Sequence, residues 1–166
     1  MNHDSYPDGY ILGILQRTRT IAMVGASPKW NRPSFFAMKY LQEKGYRVIP
    51  VNPGVAGQEI LGETVYADLA SIPGRYEMVD VFRNSAAAGP VADEAIRLKD
   101  EKGIRTLWMQ LGVRNDEAAA RAEAAGLEVV MDRCPKIEFG RLHSELSWAG
   151  FDSKVITAKR RRLRVG

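Results

Sequence analysis

Cysteine is nearly absent from this 166-residue sequence, and histidine occurs only twice. The single Cys134 cannot close an internal disulfide or assemble a multi-cysteine zinc site, so a cytoplasmic compartment and no metal centre are expected. No apolar run approaches the ~18 residues that a membrane-spanning helix needs, so no membrane association is expected. The first ten residues, MNHDSYPDGY, contain acids but no basic segment, so no secretory signal is expected either. With 15 Gly and 8 Pro, the chain is too poor in both for a collagenous or low-complexity protein. It also lacks an excess of charge outside one segment. The net charge is +4, yet residues 153–166 alone hold Lys154, Lys159, Arg160, Arg161, Arg162 and Arg164 without an acid. Removing those six leaves the body at −2. Any nucleic-acid role would rest on this terminal arm; a solvated terminus is the simpler account, and no nucleic-acid partner is expected.

What is present is an alternation of two segment types. Short runs rich in β-branched residues lie at 20–25 (TIAMVG), 46–51 (YRVIPV), 79–82 (VDVF), 105–109 (RTLWM) and 127–131 (LEVVM), with a weaker run at 64–66 (TVY). They are apolar at most positions rather than at every second one, which marks strands covered on both faces of a parallel sheet. Helical periodicity fills the intervals at 33–44, 86–102 and 115–125, each ending at a glycine, with Asn115 as a capping residue. Flanking helices are expected at 8–17 and 136–146. The alternation predicts an α/β, Rossmann-like, doubly wound parallel sheet. The predicted strand order is 3-2-1-4-5, with the 64–66 run third and room for a sixth strand. One domain over 1–145 (core 8–142) and a basic tail over 146–166 are expected.

In such a sheet ligands bind beyond the strand C-termini, where the strand order reverses. The loop after the first strand, 25–34 (GASPKWNRPS), offers Gly25 for close backbone approach to a phosphate and Arg32 as a fork donor beside a helix N-terminus. A plain tight turn at Gly25 is an equally good account. The dinucleotide fingerprint fails: its second and third glycine positions hold Ser27 and Trp30, and the second strand ends in Asn52 rather than an acid. A nucleotide site remains; an NAD site is disfavoured. Phe82 could cover a flat ring, or simply pack in the core, and Arg83 could reach phosphate. Asn84 or Ser85 suits a helix cap. Gln110 is a polar residue at a buried edge with Gly112 beside it, while Trp108 and Met109 read as core.

The combination IAMVGAS, GYRVIPVNP, VDVF, WMQLG and DRCPKIE resembles the small single-domain CoA-binding proteins. These are similar to the amino-terminal domain of the succinyl-CoA synthetase alpha subunit and of ADP-forming acyl-CoA synthetases. The likeness spans about residues 8–142. It implies a Rossmann-like fold with coenzyme A held along the strand C-terminal edge. On this resemblance Gly25, Ala26, Ser27 and Arg32 would line the phosphate side, and Asn52 and Pro53 would shape the exit of the second strand. Val65 and Tyr66 match the segment that contacts the adenine end. Phe82 and Arg83 would flank the nucleotide, and Gln110 and Gly112 would close the far wall. The loop 54–58 (GVAGQ) lacks the basic residue of the synthetase relatives, so the 3′-phosphate would need Arg32 or Lys29.

The synthetases relay a phosphoryl group through a histidine in a second domain that is missing here. His3 and His143 lie in the N-terminal arm and beyond the last strand, and both are expected at the surface. Cys134, with Arg133 beside it, is read as a small buried residue in preference to a reactive thiol, and Asp132 and Glu138 are assigned no role. The expected function is CoA or acyl-CoA binding without catalysis. The alternative is an acyl-CoA-using enzyme or a synthetase-like component that needs a protein partner. A dehydrogenase comes last.

Overall fold

The computed structural model describes residues 1–143; the tail at 146–166 and the end of the helix expected at 136–146 lie outside them. Five parallel strands form the central sheet: β1 (Thr20–Val24), β2 (Arg47–Val51), β5 (Met78–Val81), β6 (Thr106–Met109) and β7 (Glu128–Val130). They lie in the order β2-β1-β5-β6-β7, with Ile21 opposite both Val48 and Met78. The chain leaves β1 for β2 on one side and later returns to place β5 on the other. The order therefore reverses at the C-terminal ends of β1 and β5.

Helices cover both faces. Ala22, Val24, Val79, Val81, Leu107 and Met109 belong to one core cluster with α3 (Ser85–Lys102) and α4 (Asp116–Ala124). Ile21, Met23, Met78, Trp108 and Val130 belong to the other, with α1 (Asp8–Arg17), α2 (Pro33–Glu43) and α5 (Pro135–Arg141). This two-sided burial is why the strands lack polar alternation. Trp108 and Met109 are fully buried, as expected of core residues. Helix starts follow local chemistry. Asn84 accepts from Ala87 N at 2.8 Å to cap α3, and Asn115 accepts from Ala118 N at 3.0 Å to cap α4.

Two expectations need correction. The run at 64–66 is not a full third strand: it contributes one parallel bridge between Tyr66 and Val51, with Tyr66 N donating to Pro50 O at 3.0 Å. The preceding residues fold instead into a small antiparallel hairpin, β3 (Glu59–Ile60) and β4 (Glu63–Thr64). Its two-residue turn, Leu61-Gly62, has φ of 49° and 85°. Positive φ at both turn positions matches the twist of a hairpin, and Leu61 lacks the usual Asn or Asp signal. With β7 as the sixth strand, the predicted order otherwise holds.

His3 is the second correction, because it is buried rather than at the surface. Its ring nitrogens meet the Tyr6 hydroxyl at 2.7 Å and Glu123 at 3.3 Å. The arm it belongs to closes the exposed edge of the sheet. Tyr6 accepts from Met131 N at 2.8 Å. Tyr10 accepts from Val129 N at 3.0 Å and donates to Val129 O at 2.9 Å. Two tyrosine hydroxyls thus satisfy edge backbone that would otherwise invite another strand. Among the described residues no helix is long and apolar enough to cross a membrane.

Candidate functional site

The loop 25–32 passes over the switch point, and its shape is held from three directions. Gly25 N donates to Val51 O at 2.8 Å, so the turn begins while still paired to β2. Gly25 has φ 91°, and a Cβ there would stand 2.2 Å from Phe82 O and 2.9 Å from Arg83 Cδ. The glycine is therefore demanded by the close passage of the chain after β5, whatever binds above it. Asn52 donates from Nδ2 to Ala26 O at 2.8 Å and accepts from Gly54 N at 2.9 Å. It tethers the loop to the end of β2 with both ends of its amide. Ser34 accepts from Ser27 N at 3.1 Å, and Ser27 accepts from Lys29 N at 3.1 Å. Pro33, the first residue of α2, has no N–H to offer. With several loop donors already engaged, attraction for an anion falls mainly on the exposed guanidinium of Arg32.

Three adjoining hollows run from this loop along the strand ends. The first, about 220 Å³, is lined by Gly25, Ser27, Arg32, Pro33, Ser34 and Phe82. The second, about 360 Å³, shares Pro33 and Phe82 and adds Arg83, Gln110, Leu111 and Val113. The third, about 320 Å³, shares Pro33, Gln110 and Leu111, and reaches Phe36 and Ala37 of α2, Cys134, and Lys136 and Ile137 of α5. Shared walls make them one groove. Among the described residues its charged lining is Arg32, Arg83 and Lys136, without a carboxylate. Phe82 is half-buried beneath. The Gln110 Oε1 is buried without a donor.

Of the sequence-predicted residues, the groove gathers Gly25, Ser27, Arg32, Phe82, Arg83 and Gln110. The others stand behind or beside it. Ala26 and Val65 are buried in the core, and Tyr66 packs partly against it. Asn52 braces the loop, and Pro53 opens a single 3₁₀ turn. Gly112, at φ 84°, has open space where a Cβ would project and donates from its N to Asp132 at 2.7 Å. Lys29 is exposed on the loop.

Cys134 is buried, as a small residue at a strand end should be. The neighbouring Arg133 is engaged elsewhere: it donates to Asp132 O at 2.8 Å and lies 5.2 Å from the Tyr6 ring. Glu138 is held by Arg141 at 2.7 Å. Among the described residues no group of His, Cys, Asp and Glu is placed to hold a metal ion.

Sequence reasoning missed the far half of the groove, because Phe36, Leu111 and Ile137 come from three distant segments. It also passed over Asp80. This residue lies in β5 between Met23 and Trp108, fully buried, with neither carboxylate oxygen hydrogen-bonded. Burial pushes its carboxyl well above the usual range, so it favours the neutral form. A carboxylate inside an otherwise apolar central strand was the available signal. Asp80 does not line the groove.

Residues 19–140 match the CoA binding domain family. The chain is 38% identical over 124 residues to the uncharacterized protein YneT of Bacillus subtilis, covering 75% of this chain and 87% of YneT. A hypothetical protein from Pyrococcus horikoshii superposes with TM-score 0.78 at 39% identity, over 86% of this chain and 96% of that one. A Thermus thermophilus protein does so with TM-score 0.77 at 35% identity, over 82% and 99%. Matched over most of its length, and with a groove at the switch point of a parallel sheet, the chain belongs to the CoA binding domain family.

Proposed function

We propose that this protein binds coenzyme A or an acyl-CoA along the groove and does so without catalysis of its own. The observation that carries the reading is a groove over the β1–β5 switch point that no carboxylate of the described residues lines, with Arg32 and Arg83 at the end nearest loop 25–32. Arg32 and Arg83 supply planar forks suited to phosphate oxygens. Arg32, or Lys29 on the same loop, takes the 3′-phosphate that no basic residue of 54–58 can meet. Phe82 offers a half-buried ring face to the nucleotide, and Gln110 stands further along. Gly25, Ala26, Ser27 and the Asn52 tether hold the loop in shape, while Tyr66 and Val65 brace the neighbouring edge. Gly112 keeps the far wall open. A lone free thiol and a CoA ligand suit a reducing, cytoplasmic compartment.

The test is calorimetric titration of the full chain with CoA, dephospho-CoA and NAD in parallel. CoA is expected to bind best, and Arg32→Ala to weaken it by roughly tenfold, the loss of one charge-assisted hydrogen-bond set, without lowering stability. An unchanged affinity in Arg32→Ala would remove Arg32 from the site. Tighter binding of NAD than of CoA would overturn the reading.

A further inference from the structure

The groove continues past the arginines and changes character. Beyond Gln110 it opens into the hollow of about 320 Å³ between α2, the loop after β6, and α5. Phe36, Leu111 and Ile137 line it and are 47%, 58% and 54% exposed. They are three of the five large apolar side chains left exposed among the described residues, and they surround one concavity. Apolar surface concentrated in this way marks a binding face more often than a solvated one. Gln110 lines both this hollow and the one holding Phe82 and Arg83, so this polar residue stands at the junction. Read from loop 25–32 outward, the lining is cationic and aromatic at Arg32, Phe82 and Arg83, passes Gln110, and ends in Phe36, Leu111 and Ile137 with Lys136 beside them.

We propose that the outer hollow is an acyl site, and that the protein takes CoA thioesters of apolar acyl chains in preference to free CoA. The inference rests on the CoA reading above and adds the substrate class. An acyl-CoA presents its groups in the same order: phosphates, an arm carrying amide N–H donors, the thioester, then hydrocarbon. The arm's amides would pass Gln110, the polar residue at the junction. Hydrocarbon complements Phe36, Leu111 and Ile137, since both surfaces leave water together. Among the described residues one ammonium, that of Lys136, lines this end, and it stands 5.6 Å from the Tyr40 ring.

Calorimetric titration of the full chain with CoA, acetyl-CoA, butyryl-CoA, hexanoyl-CoA and succinyl-CoA tests this. A fully buried methylene is worth about fourfold in affinity, so even partial burial predicts hexanoyl-CoA at least roughly tenfold tighter than acetyl-CoA. Phe36→Gln and Ile137→Gln, both at exposed helical positions, should abolish most of that gain and leave the affinity for free CoA within about twofold. Equal affinities for all thioesters with CoA still bound would overturn the acyl site and leave the CoA reading standing. So would a preference for succinyl-CoA. Sedimentation showing a dimer that Ile137→Gln dissociates would likewise overturn it, making the face an interface between copies. Failure of CoA and every thioester to bind would overturn the CoA reading itself.

Discussion

Asp80→Asn isolates the cost of burying an unpartnered carboxyl at the centre of the sheet. Asp80 is fully buried, and neither oxygen has a hydrogen-bond partner. Burial raises its folded-state pKa well above 3.8, the value it regains in the unfolded chain. Between those two values the native protein holds a proton that the unfolded chain has released. Stability from this group is therefore fully present below pH 3.8 and declines as pH rises toward the folded pKa. The slope is about 1.4 kcal/mol for each pH unit in that window. Asparagine has a similar shape and no titration, so the variant's stability relative to the native chain should climb with that slope above pH 4 and flatten once the native carboxyl ionises. Urea unfolding of both proteins at pH 5, 6, 7 and 8 measures it. Other titrating groups cancel in the difference, and a fixed offset from the orphaned amide does not affect the slope. A difference independent of pH over this range would refute the reasoning, for Asp80 would then ionise alike in both states.

Two further perturbations test the frame. Gly25→Ala must place its Cβ 2.2 Å from Phe82 O at φ 91°, whereas Gly112→Ala at φ 84° meets nothing within 4 Å. The first should cost about 3 kcal/mol or more and the second about 1 kcal/mol by urea unfolding, and equal costs would show that no close passage exists at Gly25. Tyr10→Phe removes both hydroxyl bonds to Val129 on the sheet edge. A loss of about 1–3 kcal/mol and faster hydrogen exchange at the Val129 amide are expected, and unchanged exchange there would show that Tyr10 does not seal the edge.

Much of this fold was legible before any coordinates. Apolar runs without alternation at 20–25, 79–82 and 105–109 meant strands buried on both faces, because each residue's partition between water and core is set by its own side chain. Asn84 and Asn115 announced helix starts for the same local reason: a short amide reaches a backbone N–H three residues on. From that alternation came the switch point, and with it Gly25, Arg32, Phe82, Arg83 and Gln110 as candidates at the strand ends; Ser27 came from the family resemblance, and the groove gathers all six. The motifs that resembled CoA-binding proteins lay on those same strand ends, and the family match covers them.

Other features belonged to contacts between distant segments. The run at 64–66 could not pair along its length because Thr64 is taken by the hairpin with Glu59, and one bridge, Tyr66 to Val51, is all it makes. His3 reads as a surface histidine until Tyr6 and Glu123, 120 residues away in sequence, enclose it. Gly25 suggested a phosphate, yet the chain after β5 is what forbids a side chain there. Phe36, Leu111 and Ile137 are unremarkable singly and form a hollow only once α2, α5 and the loop after β6 converge. Sequence alone determined the five strands of the central sheet and the helices between them, because periodicity and capping are local free energies. Tertiary structure alone decided which side chains share the groove and which polar atoms are stranded in the core, because those depend on packing between segments that only folding brings together.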